Sequence, residues 1–189
     1  ELGCPGGKIT VAHRSDGSGT TAAFTESMQA FSKEWTLGTG KSVNWNVGVG
    51  AKGNDGVAGV LSTTPGSIGY INQSFVKGNL KSAAVQNKSG EFIYPNYQSG
   101  TKALNGIVLD KNLAGQDPNP SAKGAYPIAT LTYLLAYKTG NGAKTDAIKQ
   151  TLNYMLSDKA QSLADDLGYV PLKDAIQSKA QAAVNQIKE

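Results

Sequence analysis

Apolar and polar positions at the start of the chain predict a strand followed by a helix. Residues 8–13, with the sequence Lys-Ile-Thr-Val-Ala-His, contain a run of β-branched side chains that is typical of a buried strand. After a loop of small residues, one apolar side chain follows every three or four positions, at Phe24, Met28, Phe31 and Trp35. This is the spacing of one face of a helix, so the first elements are a strand, a loop and a helix.

The rest of the chain continues this alternation. The expected elements are a strand at 42–47 before a glycine-rich loop, a helix capped by Asn54 that buries Val57, Val60 and Leu61, a turn at 64–66, a strand at 67–71, a long buried strand at 127–137, and helices that begin near Asp146 and Asp174. Residues 72–125 are rich in Asn, Gly, Ser and Pro and predict loops. Because strands alternate with helices, we predict an α/β fold, in two lobes that join near residue 125.

Composition narrows the class of protein. The chain has 189 residues, 39% of them hydrophobic and 17% charged, which is too apolar for a disordered polypeptide and sufficient for a buried core. No stretch of about 18 consecutive apolar residues is present, so the sequence predicts no transmembrane helix. A single cysteine, Cys4, cannot form an internal disulfide bond, and one cysteine with one histidine cannot form a usual zinc site. We therefore expect no metal centre and no cofactor.

The basic residues are not arranged as in a nucleic-acid-binding protein. Of the 18 basic residues only Arg14 is an arginine, and the lysines are spread from Lys8 to Lys188 without a dense run. The net charge of +4 is most simply that of a solvated surface. We predict no nucleic-acid partner.

The only arginine and the only histidine stand side by side, directly before the loop that opens the first predicted helix. The start of a helix offers unpaired N–H groups and a partial positive charge, so it binds anions readily. Gly17 and Gly19 let the backbone approach an anion closely, and Ser18, Thr20 and Thr21 add hydroxyl donors. Arg14 adds a planar fork of N–H groups that matches two oxygens of a phosphate or sulfate.

Other interpretations of this loop remain open. Asp16 would repel an anion that it faced, so its expected role is to hold the guanidinium of Arg14. In the simplest alternative, Ser18 or Asp16 only caps the helix, the glycines form a tight turn and Arg14 is a surface residue. His13, at the end of an apolar strand, is expected to be packed or hydrogen-bonded rather than to bind a ligand.

The loop lacks the motifs of common enzymes. A P-loop requires a lysine after its last glycine, and none follows Gly19. A nucleophile elbow has the sequence Gly-x-Ser-x-Gly, with a glycine two positions before and two positions after the serine. Around Ser18 these two positions are Asp16 and Thr20. His13 is the only imidazole available to a serine, and adjacency in sequence is not the geometry of a triad. We predict a protein that is not an enzyme, with two alternatives: a phosphate-ester hydrolase that uses the Ser18 loop, and a non-catalytic adhesion or scaffold domain.

Several stretches of the chain form a recognisable series. They are His-Arg-Ser-Asp-Gly-Ser-Gly-Thr-Thr at 13–21 with Phe-Thr at 24–25, Ser-Val-Asn-Trp at 42–45, Gly-Ala-Lys-Gly-Asn-Asp-Gly-Val at 50–57, Thr-Pro-Gly-Ser-Ile-Gly-Tyr at 64–70, Ala-Tyr-Pro-Ile at 125–128 and Gly-Tyr-Val-Pro-Leu at 168–172. In this order, and over almost the whole chain, they resemble the phosphate-binding proteins of bacterial ABC phosphate transporters, the PstS family.

The resemblance implies a fold, a function and a location. The fold is a periplasmic binding protein-like fold of two lobes (type II) that encloses one inorganic phosphate. Residues 1–124 would form most of the second lobe and residues 125–189 the C-terminal part of the first. The function is that of the solute-binding component of an ABC phosphate importer, with membrane permease subunits as partners. The expected location is periplasmic, or extracellular with a membrane anchor.

The resemblance also implies the site residues. The residues that bind phosphate would be Arg14, Ser18, Gly19 and Thr20, supported by Asp16 and Gly17. Arg14 would supply the charged contact, the next three would supply hydroxyl and backbone donors, and Asp16 would pair with Arg14.

Members of the family carry much of the first lobe before these stretches, including a Thr-Phe pair, a serine and an aspartate that complete the phosphate cage. The chain does not begin with methionine, so we expect a processed or truncated product that holds half of the site. The missing aspartate is the acceptor that favours a protonated phosphate over sulfate, and selectivity therefore cannot be predicted from the residues present. Cys4 lies outside the motifs and would be free or paired with something absent.

Overall fold

The computed structural model describes residues 7–172 and 174–189, so Cys4 lies outside the described residues. Strands and helices are mixed along the chain, which confirms the predicted α/β class. The chain divides into two compact units, with the boundary between Ala83 and Ala84. The lobes predicted at 1–124 and 125–189 stay a prediction. Over the described ranges, no helix has the length and apolar character that crossing a membrane requires.

From residue 7 onward, the first unit contains a three-stranded parallel sheet and two helices. Its elements are β1 (Thr10–Arg14), α1 (Gly19–Phe31), β2 (Val49–Ala51), α2 (Gly53–Thr63) and β3 (Ser67–Gly69), with a 3-10 turn at Gln73–Phe75. The strand order is β2-β1-β3, and Ala12 on the central strand lies opposite both Val49 and Gly69. Parallel strands require crossover connections, and α1 and α2 lie within these two crossovers. The strand predicted at 8–13 and the helix predicted after it are confirmed as β1 and α1, although α1 ends before Trp35.

Small and β-branched side chains pack this unit. Ala12 on β1 and Val57 on α2 are fully buried, and so are Thr21 and Thr25 on α1. The Thr25 hydroxyl donates to the Thr21 carbonyl at 2.9 Å. The buried hydroxyl is therefore satisfied within its own helix.

The strand predicted at 42–47 is wrong. The strand of this region is β2, which lies in the expected glycine-rich loop. Gly48 has a φ of 99°, and a Cβ at this position would lie 2.5 Å from the Val11 carbonyl oxygen. Glycine therefore lets the chain approach β1 closely enough to start the ladder, whereas a side chain would hold it away.

The helix predicted after the glycine-rich loop is confirmed as α2, but Asn54 does not cap it. Lys52 occupies the cap position without a side-chain hydrogen bond. The Asn54 side chain instead accepts a hydrogen bond from the Asn72 N–H at 3.2 Å. Asn54 thus ties α2 to the segment that follows β3.

In its described residues, the second unit combines a short hairpin with four helices. Its elements are β4 (Val85–Gln86), β5 (Phe92–Ile93), α3 (Tyr97–Leu104), α4 (Thr145–Met155), α5 (Asp158–Gln161) and α6 (Asp174–Asn185), with a 3-10 turn at Gly142–Lys144. The strands β4 and β5 are antiparallel. Leu104, Ile107 and Leu131 form its buried cluster. The helices predicted near Asp146 and Asp174 are confirmed as α4 and α6.

Helix α3 lies in a region where the sequence predicts loops. Asn96 accepts a hydrogen bond from the Ser99 N–H at 2.8 Å, and the Ser99 hydroxyl accepts from the Asn96 N–H at 3.0 Å. This reciprocal pair is a capping box that starts a short helix, whose far end buries Ala103 and Leu104.

The long buried strand predicted at 127–137 is also wrong. Within the described ranges these residues belong to no strand, and Leu134, Leu135 and Tyr137 are 59%, 97% and 81% exposed. A strand requires hydrogen-bonding neighbours, and the two strands of this unit pair with each other instead. Leu131, by contrast, is buried in the apolar cluster.

Candidate functional site

The predicted loop joins the central strand to a helix. β1 ends at Arg14 and α1 begins at Gly19, with Ser18 as the N-cap residue. The buried Ser18 hydroxyl accepts from the N–H groups of Thr20 at 3.1 Å and Thr21 at 3.3 Å. The interpretation of Ser18 as a helix cap is therefore confirmed.

Contacts with neighbouring segments hold this loop. The Ser15 N–H donates to the Ala51 carbonyl at 3.0 Å, and the Ser18 N–H donates to the Lys41 carbonyl at 2.8 Å. The resemblance implies three backbone donors, which are the N–H groups of Ser18, Gly19 and Thr20. Two of them, those of Ser18 and Thr20, already donate to acceptors within the chain. The third, the N–H of Gly19, has no acceptor among the residues that the structure describes.

The two glycines of the loop do not form a strained turn. Neither Gly17 nor Gly19 has a positive φ. A Cβ added at Gly19 would meet no atom within 4 Å, and one at Gly17 would meet only the Ser42 hydroxyl oxygen at 3.7 Å. Neither glycine is therefore required for a left-handed backbone, and Gly19 leaves the backbone at the helix start open to approach.

Arg14 and Asp16 form a bidentate ion pair. The Arg14 Nε donates to Asp16 Oδ1 at 2.8 Å, and Nη2 donates to Oδ2 at 2.6 Å. The Arg14 side chain is only 10% exposed, so the alternative that makes it a surface residue is wrong. A guanidinium has five N–H groups, and the three that Asp16 does not use have no acceptor in the described part of the chain.

The ion pair keeps both groups charged. The pKa of the Asp16 carboxyl lies well below its ordinary value of 3.8, mainly because Arg14 donates hydrogen bonds to it. The second cause is the N–H of Gly53, which donates to Asp16 Oδ1 at 3.1 Å. The hydrogen bonding of Arg14 to Asp16 also raises the pKa of the Arg14 guanidinium above its ordinary value. Asp16 is thus an acceptor that is already occupied by Arg14 and by the start of α2.

Tyr70, which the sequence analysis did not single out, joins the two sides of the loop. Its hydroxyl accepts from the Arg14 N–H at 3.2 Å and shares a hydrogen bond with the Thr21 hydroxyl at 2.8 Å. Its ring stacks on Phe24 at 4.5 Å and on Trp45 at 5.8 Å between centroids. The signals in the sequence were its place near the end of the strand predicted at 67–71 and in the Thr-Pro-Gly-Ser-Ile-Gly-Tyr stretch at 64–70, because parallel strands end at the same edge of a sheet.

His13 is packed beside this site. Its ring stacks on Trp45, with centroids 4.8 Å apart and an angle of 17° between the planes. Its Nδ1 lies 3.1 Å from the Arg14 carbonyl oxygen. His13 is therefore packed and hydrogen-bonded, as expected for the end of an apolar strand.

The arrangement around the start of α1 is rich in donors. Three guanidinium N–H groups, the Gly19 N–H and the hydroxyls of Ser18 and Thr20 donate to no backbone or carboxylate acceptor in the part of the chain that the structure describes. Donors around a helix start suit an anion with several oxygens. Across the described ranges, no three His, Cys, Asp or Glu residues group in a way that could hold a metal ion.

The chain is similar in sequence to proteins of a known family. A sequence profile of the PBP superfamily domain matches residues 1–159. The phosphate-binding protein PstS of Methanocaldococcus jannaschii is 36% identical over 208 aligned residues, which cover 98% of this chain and 53% of the relative. The PstS protein of Pasteurella multocida is 34% identical, with 94% of this chain and 53% of the relative covered. These matches confirm the resemblance to the PstS family, and the chain spans about half the length of these relatives.

Solved structures support the fold class. A high affinity periplasmic phosphate-binding protein, PfluDING, solved with phosphate, superposes with a TM-score of 0.74 at 21% identity, covering 93% of this chain and 57% of that one. A human phosphate binding apolipoprotein superposes with a TM-score of 0.71 at 18% identity, covering 93% of this chain and 58% of that one. The expected periplasmic binding protein-like fold is therefore confirmed.

Proposed function

Because this chain belongs to the PBP superfamily, we propose that it binds inorganic phosphate as part of the solute-binding component of an ABC phosphate importer. The proposed partners are phosphate and the membrane permease subunits of the importer. The proposed location is periplasmic, or extracellular with a membrane anchor. The relatives named phosphate-binding protein PstS support phosphate as the ligand.

The observation that carries the proposal is the Arg14–Asp16 pair beside the start of α1. Two of the guanidinium N–H groups are held by the carboxylate, so the orientation of the remaining three is set before an anion arrives. A charged group that is already oriented loses little freedom when it binds, and therefore keeps more of its interaction energy as affinity. The open donors of the loop then match the several oxygens of one phosphate.

We propose that no catalysis follows binding. The Ser18 hydroxyl, the candidate nucleophile of a hydrolase, accepts two backbone N–H groups as a helix cap. A serine nucleophile requires a base within hydrogen-bonding reach, and the ring of His13 instead contacts the Arg14 carbonyl and Trp45. The loop supports binding better than acyl or phosphoryl transfer.

Titration calorimetry with phosphate tests the proposal, on the 189-residue chain and on a chain extended to the length of its relatives. The informative variant is Arg14→Gln, and the matched control is Lys33→Gln, which removes one positive charge from an exposed position of the same unit. We expect Arg14→Gln to weaken phosphate binding at least about tenfold, because a charged hydrogen-bond donor is lost, and Lys33→Gln to change it less than about twofold.

The alternatives predict different results. Hydrolysis of a simple phosphate ester without added metal, lost in Ser18→Ala, would support the hydrolase. Absence of phosphate and sulfate binding in both chains would contradict the proposal and support an adhesion or scaffold domain. Equal weakening by the two charge-removing variants would show that phosphate meets only the general positive charge of the surface.

A further inference from the structure

Tyr70 contacts residues of the candidate site but is not itself one of the groups proposed to bind the anion. It directly follows β3, whose Gly69 lies opposite Ala12 of β1. Its hydroxyl therefore lies where the central strand ends, within 3.2 Å of the Arg14 backbone nitrogen. The same oxygen lies 2.8 Å from the Thr21 hydroxyl in the first turn of α1.

This single hydroxyl links the two segments that carry the candidate donors. Arg14 ends the strand before the loop, and Thr21 lies in the helix after it. Both segments also have other hydrogen bonds, and among the described residues Tyr70 is the side chain that bonds to both of them. A shift of its hydroxyl would change the distance between the guanidinium and the open N–H of Gly19.

The ring of Tyr70 is held in place by other aromatic rings. Phe24 stacks on it with an angle of 13° between the planes, and Trp45 with an angle of 27°. Phe24 and Trp45 each also contact Trp35 in edge-to-face geometry, at 6.0 and 6.1 Å. Because contacts on several rings restrict rotation and sliding of the phenol, the position of the hydroxyl is well defined.

From this geometry we infer that Tyr70 is a positioning residue of the anion site, which holds the Arg14 backbone at a set distance from the first turn of α1. The inference rests on the proposed function in so far as phosphate is the ligand at Arg14. The hydroxyl acts through Arg14 and Thr21, and the aromatic ring supplies its rigid support. The role differs from that of Asp16, which orients the guanidinium at the other end of the Arg14 side chain.

The variant Tyr70→Phe tests this role, since it removes the hydroxyl and keeps the ring for stacking. Tyr133→Phe is a matched control, because the Tyr133 hydroxyl also contacts two backbone groups, the N–H and carbonyl of Gly115, in the second unit. We expect Tyr70→Phe to weaken phosphate binding about three- to tenfold, the equivalent of one hydrogen bond, and Tyr133→Phe to leave it within about twofold.

A readout without ligand separates this inference from the proposed function. Arg14 is the only arginine, so the nitrogen-15 spectrum of the chain contains one arginine Nε–H signal. We expect Tyr70→Phe to shift this signal and to speed its exchange with water, while Tyr133→Phe leaves it unchanged. If the chain binds no phosphate, the proposed function fails, and the Nε–H signal still decides whether Tyr70 positions Arg14.

A second variant guards against a general loss of stability. Thr21→Val removes the other hydroxyl of the shared hydrogen bond and keeps the Thr21 N–H that Ser18 accepts. If Tyr70 works through this contact, Tyr70→Phe and Thr21→Val will shift the Arg14 signal in the same direction, and the double variant will add less than their sum. An unmoved Arg14 signal in Tyr70→Phe, or affinity within twofold of the parent chain that does bind phosphate, would overturn the inference.

Discussion

At the residue scale, the geometry of Arg14 determines what the loop can offer an anion. Its guanidinium donates along one edge to Asp16, and the remaining N–H groups lie on the other parts of the same plane. A lysine ammonium keeps the charge but has no planar fork, so it cannot hold Asp16 and an anion with the same fixed geometry.

We therefore expect Arg14→Lys to weaken phosphate binding by about 1–3 kcal/mol, the range for charged hydrogen bonds. Calorimetric titration measures this difference, and Lys33→Arg is the control, because it exchanges the two basic residue types at an exposed position. Unchanged affinity in Arg14→Lys would show that charge alone, and not the fork, binds the anion.

The second prediction at this scale concerns pH. The pKa of Asp16 is lower in the folded chain than its ordinary value of 3.8, so the unfolded chain takes up this proton first as the pH falls. The stabilisation from the ion pair is present above about pH 4 and is lost as the pH falls toward the folded pKa. Urea unfolding at pH 6, 4 and 3 should show a steeper loss of stability in the parent chain than in Asp16→Asn. Parallel pH profiles would contradict this assignment.

Proximity in sequence explains which site residues could be predicted. Arg14 and Asp16 are two positions apart, so the charges and the strand end were enough to suggest their pairing. Tyr70 is 56 positions from Arg14, and the two meet only because β3 pairs with β1. A contact of that kind depends on sheet order, which local patterns do not contain.

At the scale of elements, the start of α1 depends on one hydroxyl. Ser18 satisfies two N–H groups that the helix itself leaves unpaired. We expect Ser18→Ala to lower the free energy of unfolding by about 1 kcal/mol, the usual cost of losing a cap. Ser62→Ala is the control, since the Ser62 hydroxyl is exposed and donates to a carbonyl within its own helix. Equal urea midpoints for the two variants would contradict the capping role.

Helices were predicted better than strands for a physical reason. The periodicity that predicts α1, α4 and α6 comes from residues within each helix, whose hydrogen bonds are also internal. Strands need a neighbour, and the apolar run at 127–137 has none among the described residues of its unit, whereas the glycine-rich β2 has β1 beside it. The exception, α3, begins with polar capping residues that have the composition of a loop.

At the scale of the whole molecule, the segment 127–137 leaves apolar side chains uncovered. Leu135 and Leu134 are exposed next to one another, and Tyr133 and Tyr137 on either side are also exposed. Contiguous apolar surface of this kind binds hydrophobic dyes and lowers the cooperativity of unfolding.

We expect the chain to bind a hydrophobic dye and to unfold over a broad temperature range. Leu135→Gln should lower dye binding, and Val108→Gln, which removes a side chain that is 84% exposed elsewhere in the same unit, should lower it less. A sharp thermal transition without dye binding would show that this apolar surface is covered in solution.

Anion selectivity is also a property of the whole site. The loop offers donors, and its one carboxylate, Asp16, is occupied by Arg14 and Gly53. Donors serve any oxyanion, whereas a protonated phosphate also needs an acceptor for its hydrogen. We expect this chain to bind phosphate and sulfate weakly and within about tenfold of each other, or roughly 1.4 kcal/mol. Competition titrations that favour phosphate by several orders of magnitude would assign Asp16 as the acceptor.

The aromatic cluster near Arg14 also provides an intrinsic fluorescence probe. The chain has two tryptophans, Trp35 and Trp45, and both belong to the first compact unit. Tryptophan fluorescence therefore reports on the first unit alone. Far-ultraviolet circular dichroism reports on the helices of both units. Comparing the two signals during denaturation will show whether the units melt together or one after the other.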